Sequence, residues 1–577
     1  MILTDTRAAA PLRARLALDP RGLALLRAGL GLLLAFDATL RLCSAGALYA
    51  DTGLLPRAIA VKLLDPAQWS LYLANGSLVF ALLMSGLQLL AALMLAIGWR
   101  SRLAGALLWV MVVSAFARHP AVVGAADLLA LSLLTLGLFL PWNARWSVDH
   151  ALRTDRIDTT LDAPGSWPEL ALRAHVALMP ASLALATLDA PAGLAGLLAS
   201  DHGRALGHWL AAGLPGALGM VEVALRAVAF LVIPLALWPL RAPSWASRVA
   251  ALLFVLLALT GLVLLHAGAL PLLGLLAAGL LIDDAAWNRL AGAASQPDLR
   301  IHYDREVAGA GSLSLLLGEF LCLPRTLIGP AQDSPRAARL LESGPVLVVI
   351  DRDEQAHLDG AGIAVLLRRS PLLAPIRLLV GSALGSSVGA ALLALRRACV
   401  RLRRCVVDRV APAWCAPRSA TAVALTVFAG LVLVQSTAAG LLPRAVGTVV
   451  GAPLQVLGLD RSWLDALPTI DGAQHWITVI GERIEGGEVD ASDPRLPTAD
   501  YAARTPPWLG HAHARAYERA LARPASVGPR LALAQHLCGL HAKTLARVRV
   551  TLMVREPGAK IAEQRVLLRH ECWVAAE

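Results

Sequence analysis

Long apolar segments recur along the first 290 residues of the chain and once more near residue 430. Most approach the ~20 residues that an α-helix needs to cross ~30 Å of hydrocarbon, and they are apolar on every face, unlike an amphipathic soluble helix. The pattern predicts a polytopic α-helical membrane protein with eight spans followed by a ninth. The predicted spans are Ala24–Leu42, Ser77–Ile97, Leu103–Ala117, Ala121–Pro141, a segment from Ala174 to about Leu188, Pro215–Leu240, Val249–His266, Ala267–Ile282 and Thr421–Leu442.

The segment Gly98–His150 shows the pattern of a helical hairpin within a bilayer. Its two apolar runs are separated by Arg118, His119 and Pro120, and tryptophan and arginine residues flank them. Tryptophan and arginine are typical of membrane interfaces. The ionisable Asp127 lies near the start of the second run, where a charge is costly unless it has a partner or a task.

Two regions outside the spans have mixed polarity. The stretch GPVLVVIDRDE predicts a β-strand and GAGIAVLLRRSP a helix, which indicates a small α/β domain. Strand alternation returns in ARVRVTLMVRE and QRVLLRHECW, beside a predicted helix around Leu531–His541, which indicates an α+β tail. The predicted organisation is a membrane domain over 20–290, the α/β domain over 300–405, a further transmembrane helix over 420–442 and the C-terminal tail over 443–577.

Basic residues predict the orientation. Arginines 7, 13 and 15 precede the first span, and the most basic run of the chain, RRACVRLRRCVVDRVAPAWCAPR, directly precedes the last one. Because cytoplasmic flanks are enriched in lysine and arginine, the N-terminus and the α/β domain are expected in the cytoplasm. The C-terminal tail is then expected outside, for a multi-pass protein of a bacterial-type inner membrane.

Composition agrees with a membrane protein and argues against nucleic acid as a partner. The 577 residues are 57% hydrophobic and 16% charged, with a formal charge of +11. The arginines flank hydrophobic segments and do not form one basic face, so we interpret the charge as membrane anchoring. The sequence has no P-loop, GxSxG or HExxH pattern, so it does not support ATP hydrolysis, serine hydrolase or zincin chemistry.

Several ionisable residues lie in or near the predicted spans. Two opposite-charge pairs have i,i+4 spacing on one helix face. One interpretation is a polar pocket that handles a quinol, a lipid headgroup or a proton, and the other is structural ion pairing between helices. The residues are the pairs Asp37 with Arg41 and Glu222 with Arg226, together with Arg118, His119 and Asp127.

Asp127 and His119 are the candidate catalytic pair. An imidazole can titrate near neutrality, and a carboxylate that accepts from one ring nitrogen would fix its tautomer.

The motif QHLCGLH allows two interpretations of Cys538. A metal site would use Cys538 and His541, three apart on a helix face, with His511 or His513 as further ligands. A disulfide from Cys538 to Cys572 is the better hypothesis, because both cysteines would lie in the oxidising outer compartment. No metal is therefore assigned.

Several separated motifs resemble the HTTM family, the membrane domain related to vitamin K-dependent γ-glutamyl carboxylase. They are RGLALLRAGLGLLLAFDATLRL, GALYADTGLLPRA, IGWRSRLAGALLW, RHPAVVGAADLL and FLPWNARWSVD. The resemblance implies a multi-helix membrane domain, and in carboxylase members a bound reduced naphthoquinone and a lysine base. The lysines of this chain, Lys62, Lys543 and Lys560, all lie outside the predicted spans, and Arg118 lies in about the region of the family lysine. An arginine stays protonated, so carboxylation by the family chemistry is not expected.

The α/β domain is similar to the DCC-type thiol-disulfide oxidoreductase-like domain, whose signature is YDGDCxxC. Tyr303 and Asp304 match that signature, but Val307 and Ala310 occupy the cysteine positions. Because exchange requires a thiolate, the domain is expected to be a scaffold without redox activity.

We therefore expect a membrane scaffold or binding protein that contacts the bilayer and a protein partner through its C-terminal tail. The alternative is a membrane enzyme that acts on a quinone or lipid-linked substrate, with naphthoquinone as the cofactor that the resemblance allows. A carrier would fit the broken segment Ala174–Leu214, but no repeat symmetry accompanies it.

Overall fold

A computed structural model describes most of the chain, and within that part the protein is mostly helical with two small sheets. The predicted N-terminal basic segment, part of the α/β domain and the basic run before the last span lie outside the described residues. The described residues are 17–152, 166–188, 192–200, 202–237, 245–290, 299–370 except 308, 322, 324, 325 and 343, 387–394, 418–467, 473–498 except 494 and 496, and 511–572 except 525, 557, 558 and 560.

The first half of the described chain is built from helices. In chain order they are α1 (Pro20–Cys43), α2 (Ala45–Tyr49), α3 (Arg57–Leu63), α4 (Leu78–Ile97), α5 (Ser101–Arg118), α6 (Ala125–Gly137), α7 (Val148–Ala151), α8 (Trp167–Ala186), α9 (Gly193–Ala199), α10 (Ala205–Gly213), α11 (Pro215–Leu237), α12 (Trp245–Leu264), α13 (Leu270–Ala278) and α14 (Asp284–Leu290). Short 3₁₀ helices lie at Leu71–Leu73, Pro120–Val122 and Gly279–Leu281.

The second half mixes helices and strands. In chain order they are β1 (Arg300–Tyr303), α15 (Ala310–Phe320), β2 (Leu327–Pro330), α16 (Pro335–Leu341), β3 (Leu347–Ile350), β4 (Ala356–Leu358), α17 (Asp359–Arg369), α18 (Arg418–Ala438), α19 (Arg444–Leu454), β5 (Gln474–Arg483), β6 (Glu488–Asp490), α20 (His511–Ala522), α21 (Val527–Leu540), β7 (Leu545–Arg555) and β8 (Glu563–Glu571). Short 3₁₀ helices lie at Ala331–Asp333, Gln455–Leu457 and Trp463–Ala466.

Seven helices of the described chain are long and apolar enough to cross a membrane, namely α1, α4, α5, α8, α11, α12 and α18. Each overlaps one of the predicted spans. The other two predicted spans, Ala121–Pro141 and Ala267–Ile282, correspond to shorter helices, α6 and the pair formed by α13 and Gly279–Leu281. The helix α6 starts late because Gly124 is its N-cap, and the Asp127 carboxylate accepts a hydrogen bond of 2.8 Å from the Gly124 N–H.

The helix α8 begins seven residues before the predicted span. Ser166 caps its N-terminus by accepting from the Glu169 N–H, so the polar residues Trp167–Arg173 are also helical. Arg173 is buried against α11 and α12, where it donates to the Ala236 carbonyl at 2.9 Å and to the Ser247 hydroxyl at 2.8 Å. These two acceptors allow an arginine to pack inside the bundle.

The helices α1 and α4 pack closely in the interior of the bundle. A Cβ atom at Gly31 would lie 2.6 Å from the backbone nitrogen of Ala96, so only glycine allows this approach. Leu30, Leu108 and Leu134 are fully buried in the surrounding apolar core. The first helix is therefore a central element, and charged groups on it are buried among its neighbours.

The α/β domain contains a four-stranded sheet in the order β2-β1-β3-β4. The strands β1 and β2 are parallel, and β3 is antiparallel to both β1 and β4. The predicted strand in GPVLVVIDRDE is β3, and the predicted helix after it is α17. The helix α15 begins at Ala310 after Gly309, whose φ of 78° is left-handed.

The C-terminal tail contains an antiparallel sheet in the order β6-β5-β7-β8. The predicted strands are β7 and β8, and the predicted helix is α21. The sequence analysis expected two strands as a minimum, whereas β5 is the long strand that pairs with β7 along ten residues. The helices α20 and α21 pack against this sheet.

The α/β domain and the C-terminal tail contact opposite ends of the helical bundle. Near the first half of α1, Glu319 of the α/β domain accepts from the Trp146 N–H and lies 3.8 Å from the His150 ring. Near the end of α1, the tail helix α20 packs on Pro120–Val122, and α21 packs on α3. We call this second end the tail end of the bundle.

Candidate functional site

The predicted intramembrane pair Asp37 and Arg41 forms an ion pair near the end of α1. Arg41 Nε donates to Asp37 Oδ2 at 2.6 Å, and the Arg41 side chain is fully buried. The other carboxylate oxygen of Asp37 lies 2.9 Å from Nε2 of His513, which belongs to α20 of the C-terminal tail and is itself buried. One carboxylate therefore joins a span to the tail.

Asp127 completes this group from α6. Its Oδ2 atom lies 3.8 Å from Arg41 Nη2, while the same oxygen accepts from the Gly124 N–H. The guanidinium of Arg41 also lies 5.2 Å from the ring centre of Phe116 and donates to the Tyr49 hydroxyl at 2.9 Å. We call Asp37, Arg41, Asp127 and His513 the Asp37 cluster, in which Arg41 faces two carboxylates.

His119 lies beside the Asp37 cluster but does not bond to Asp127. Neither ring nitrogen has a hydrogen-bond partner among the described residues, and the ring meets Tyr517 of α20 edge to face, with centroids 5.8 Å apart. The capping bond to Gly124 turns the Asp127 carboxylate toward its own helix. The predicted tautomer-fixing bond between Asp127 and His119 is thus not formed in this structure.

Arg118 is fully buried at the end of α5. Its Nη2 atom donates to the Tyr49 carbonyl at 3.2 Å, so Tyr49 receives one bond from Arg41 and one from Arg118. Burial raises the pKa of Tyr517, whose ring covers His119 from the tail side. Arg118, His119 and Tyr517 therefore lie close together where α20 packs on the end of α5.

Glu222 and Arg226 form the second predicted pair on a different set of elements. They are ion-paired along α11, Glu222 accepts from the Leu194 N–H at 2.8 Å, and Arg226 donates to the Thr187 carbonyl at 2.6 Å. These bonds hold the end of α8 and the start of α9 against α11. This pair has a local structural role and does not contribute to the Asp37 cluster.

A cavity of about 70 Å³ lies next to the Asp37 cluster at the tail end of the bundle. Phe116 and Pro120 line it from the bundle, Trp69 from the loop before α4, and Asp460 and Asp465 from the start of the tail. Phe116 is also in contact with Arg41, so one ring separates the cavity from the Asp37 cluster.

The two carboxyl groups of the cavity are perturbed by their surroundings. Burial raises the pKa of Asp460 and that of Asp465 above their ordinary values, although neighbouring arginines oppose the shift. Asp465 Oδ2 accepts from the Ser462 N–H at 3.1 Å, and Arg523, directly after α20, donates to the Asp465 carbonyl at 2.7 Å. The cavity thus lies between the tail and the bundle, with carboxyl groups on the tail side and apolar side chains on the bundle side.

Cys538 and Cys572 are joined by a disulfide that links α21 to the end of β8. The bond occupies the only sulfur of the QHLCGLH motif, so Cys538 is not available as a metal ligand. Within the described residues, no three His, Cys, Asp or Glu side chains cluster in a way that could hold a metal ion.

The α/β domain places its two substituted positions at the start of a helix. Val307 and Ala310 bracket the turn into α15, where the Ala310 N–H donates to the Val307 carbonyl at 3.1 Å. This is where a CxxC pair would lie at a helix N-terminus, but neither side chain carries sulfur. Cys322, the other cysteine of that stretch, lies outside the described residues.

Sequence reasoning missed the tail residues that complete the site. His513 was considered only as a metal ligand, and Tyr517, Asp460 and Asp465 were not singled out. One signal was present in the sequence, since His513 and Tyr517 are four apart and share a face of α20. Their partners, Asp37 on α1 and His119 directly after α5, lie 476 and 398 positions away in sequence, which no local pattern could indicate.

Comparison of the chain with protein-family models, with curated proteins and with solved structures finds no match. The resemblances to the HTTM and DCC-type families therefore stay predictions from motifs. The function has to be argued from the geometry of the Asp37 cluster and its surroundings.

Proposed function

We propose that this chain is an HTTM-type integral membrane scaffold or binding protein whose C-terminal tail is docked on the transmembrane bundle. The observation that carries the proposal is the bond between His513 Nε2 and Asp37 Oδ1. An acidic residue within a span has a high free-energy cost of insertion, so it is expected to have a structural or functional role. The proposed role of Asp37 is to join the tail to the first helix, while Arg41 neutralises its carboxylate.

The state of the other ionisable groups supports a scaffold. Asp127 pairs with Arg41 and caps α6 through the Gly124 N–H. Glu222 and Arg226 pair with each other and hydrogen-bond to the backbone groups of Leu194 and Thr187. A general base needs a free lone pair facing a substrate proton. The intramembrane carboxylates of the described chain are instead engaged in packing.

The α/β domain supports the same proposal. A β-α-β-α-β-β-α order with the sheet order β2-β1-β3-β4 is compatible with a thiol-disulfide oxidoreductase-like fold, as the DCC-type resemblance implies. With Val307 and Ala310 in place of the cysteines, this fold would position the domain against Trp146 and His150 without redox chemistry.

The proposed topology has nine spans, with the α/β domain in the cytoplasm and the tail outside. Support comes from the two regions packing at opposite ends of the bundle and from the basic residues that flank the α/β domain. Epitope tags in the α/β domain and at the C-terminus test this in intact cells and in inverted vesicles. Tags that are accessible from the same side would contradict the topology.

Complementation of a strain that lacks the gene tests the scaffold function. We expect His119→Ala and Asp127→Asn to complement fully, because neither residue would act in catalysis. We expect His513→Ala and Asp37→Asn to complement poorly, because they release the tail. The reverse result, with loss in His119→Ala and full activity in His513→Ala, would favour an enzyme.

The cavity beside Phe116 favours one alternative, a membrane enzyme that acts on a quinone or lipid-linked substrate. Its aromatic walls and two protonatable carboxyl groups are suited to a ring or chain with a polar head. Extraction in mild detergent and mass spectrometry of co-purified lipids and quinones tests this. One naphthoquinone at near-stoichiometric amount would support the enzyme, and its absence together with full complementation by His119→Ala would exclude it.

A further inference from the structure

Arg118 is a buried cation that forms no ion pair with any residue in the described part of the chain. Its side chain has no exposed surface, and one of its nitrogens donates to the Tyr49 carbonyl. Its Nε and Nη1 atoms have no hydrogen-bond partner among the described residues, and no carboxylate of that part of the chain lies within 4.0 Å of it. The carboxylate of Asp51, in the loop after α2, is paired with Arg57 at 2.8 Å.

This arrangement requires an explanation because an arginine does not lose its proton at accessible pH. A buried charge is strongly unfavourable unless an opposite charge lies close to it. Water would satisfy the free N–H groups but would not neutralise the guanidinium. The carbonyl of Tyr49 and the end of α5 supply only partial negative charge.

The groups around Arg118 indicate the charge that a ligand bound there would carry. Arg41 is balanced by Asp37 and Asp127 within the Asp37 cluster, whereas Arg118 retains a full positive charge. His119, the next residue, is buried with both ring nitrogens without a partner in the described chain, so it offers one donor and one acceptor in the same region. A ligand for this region would be a monoanion that accepts at least two hydrogen bonds.

We propose that Arg118 and His119 form a buried binding site for a small carboxylate-type anion between α5, Tyr49 and the tail helix α20. A carboxylate has one negative charge and can accept from two N–H groups at once, which suits the free atoms of Arg118. Ala117 and Pro120, on either side of the pair, line the cavity at the tail end of the bundle, which places the approach on that side. The inference goes beyond the proposed scaffold function and does not depend on it.

Equilibrium dialysis of the detergent-solubilised full chain against radiolabelled formate, in a buffer low in chloride, tests the site. Formate is the smallest carboxylate and therefore the probe that best enters an enclosed site. We expect saturable binding of about one formate per chain, and an affinity about tenfold or more lower in Arg118→Gln, as for loss of a charge-assisted pair. Arg118→Lys retains the charge and should keep weaker, measurable binding.

Arg173→Gln is the matched control. Arg173 is also a buried arginine of the bundle, but its Nε and Nη2 atoms already donate to the Ala236 carbonyl and the Ser247 hydroxyl, so its loss should leave formate binding unchanged. Absence of saturable binding to the wild-type chain would overturn the site and leave Arg118 as a hydrated cation. Equal binding by Arg118→Gln would do the same. If Arg118→Gln does not fold, His119→Ala must weaken formate binding, and unchanged affinity in that variant refutes the proposal.

Discussion

His513 Nε2 and Asp37 Oδ1 lie 2.9 Å apart, although the two residues are 476 positions apart in the chain. Asp37 belongs to the first helix of the bundle and His513 to a helix of the C-terminal tail. Both side chains are largely shielded from solvent. The bond therefore couples the stability of the tail to that of the helical bundle.

Replacement of His513 by alanine should loosen the tail. It removes one partner of a buried carboxylate, which costs roughly 1–3 kcal/mol of unfolding free energy. We expect a lower thermal unfolding midpoint in detergent and faster proteolysis of the tail. His570→Ala, on the partly exposed strand β8, is the matched control and should leave both measurements unchanged. Equal behaviour of the two variants would contradict a role for the His513 bond.

Asp37→Asn should destabilise the protein more than Asp127→Asn. The Asp37 carboxylate bonds to Arg41 and His513, so its loss leaves a buried guanidinium poorly compensated, with a cost of about 3 kcal/mol or more. Asp127 lies farther from Arg41, at 3.8 Å, and asparagine can still accept from the Gly124 N–H. Thermal unfolding monitored by tryptophan fluorescence compares the two variants. A larger effect of Asp127→Asn would mean that Asp127 is the main counter-ion of Arg41.

The disulfide should stabilise the tail mainly by restricting its unfolded state. For a sequence separation of 34 residues, the chain-entropy relation gives about 4 kcal/mol as an upper value. We expect Cys538→Ser with Cys572→Ser to lower the denaturant concentration at which the tail unfolds. Cys43→Ser, at an exposed free cysteine, should not change it.

Peptide mass spectrometry after alkylation provides an independent check of the same bond. The peptides with Cys538 and Cys572 should take up label only after reduction. Labelling of both before reduction would show that the bridge is not formed.

The carboxyl group of Asp460 should make the docking of the tail dependent on pH. Burial raises the pKa of Asp460 above its ordinary value of 3.8, so its ionised form is less favourable in the folded chain than in the unfolded chain. That penalty is present in full above the raised pKa and is relieved as the pH falls toward 3.8. Asp460→Asn, which carries no charge, should therefore unfold at a higher temperature than the wild type at pH 7.

The difference between Asp460→Asn and the wild type should shrink as the pH is lowered toward about 4, where the native aspartic acid is itself protonated. Unfolding midpoints across this pH range measure the effect. Asp353→Asn, at an exposed position of the α/β domain, should show little difference from the wild type at any pH. A stability advantage of Asp460→Asn that persists unchanged at low pH would contradict the assignment to this carboxyl group.

The length of the apolar runs and the spacing of polar residues were enough to predict the long apolar helices and several strands. The apolar run Pro215–Leu240 predicted a helix, because a segment within a bilayer has no water to satisfy an open backbone, and α11 is long and apolar enough to cross a membrane. The i,i+4 spacing of Asp37 with Arg41 and of Glu222 with Arg226 likewise placed each pair on one helix face, where the structure has ion pairs. Helix formation and i,i+4 pairing both depend on residues that are close together in the sequence.

Only the tertiary structure decided what these charges do. It brings His513 to Asp37, turns Asp127 to the cap of α6 and away from His119, and leaves Arg118 buried without a carboxylate from the described chain. A charge in a low-dielectric interior acts through the groups within a few ångströms of it, and those groups come from helices that are distant in sequence. The sequence therefore determined which residues are costly to bury, and the packing of the tail on the bundle determined their partners.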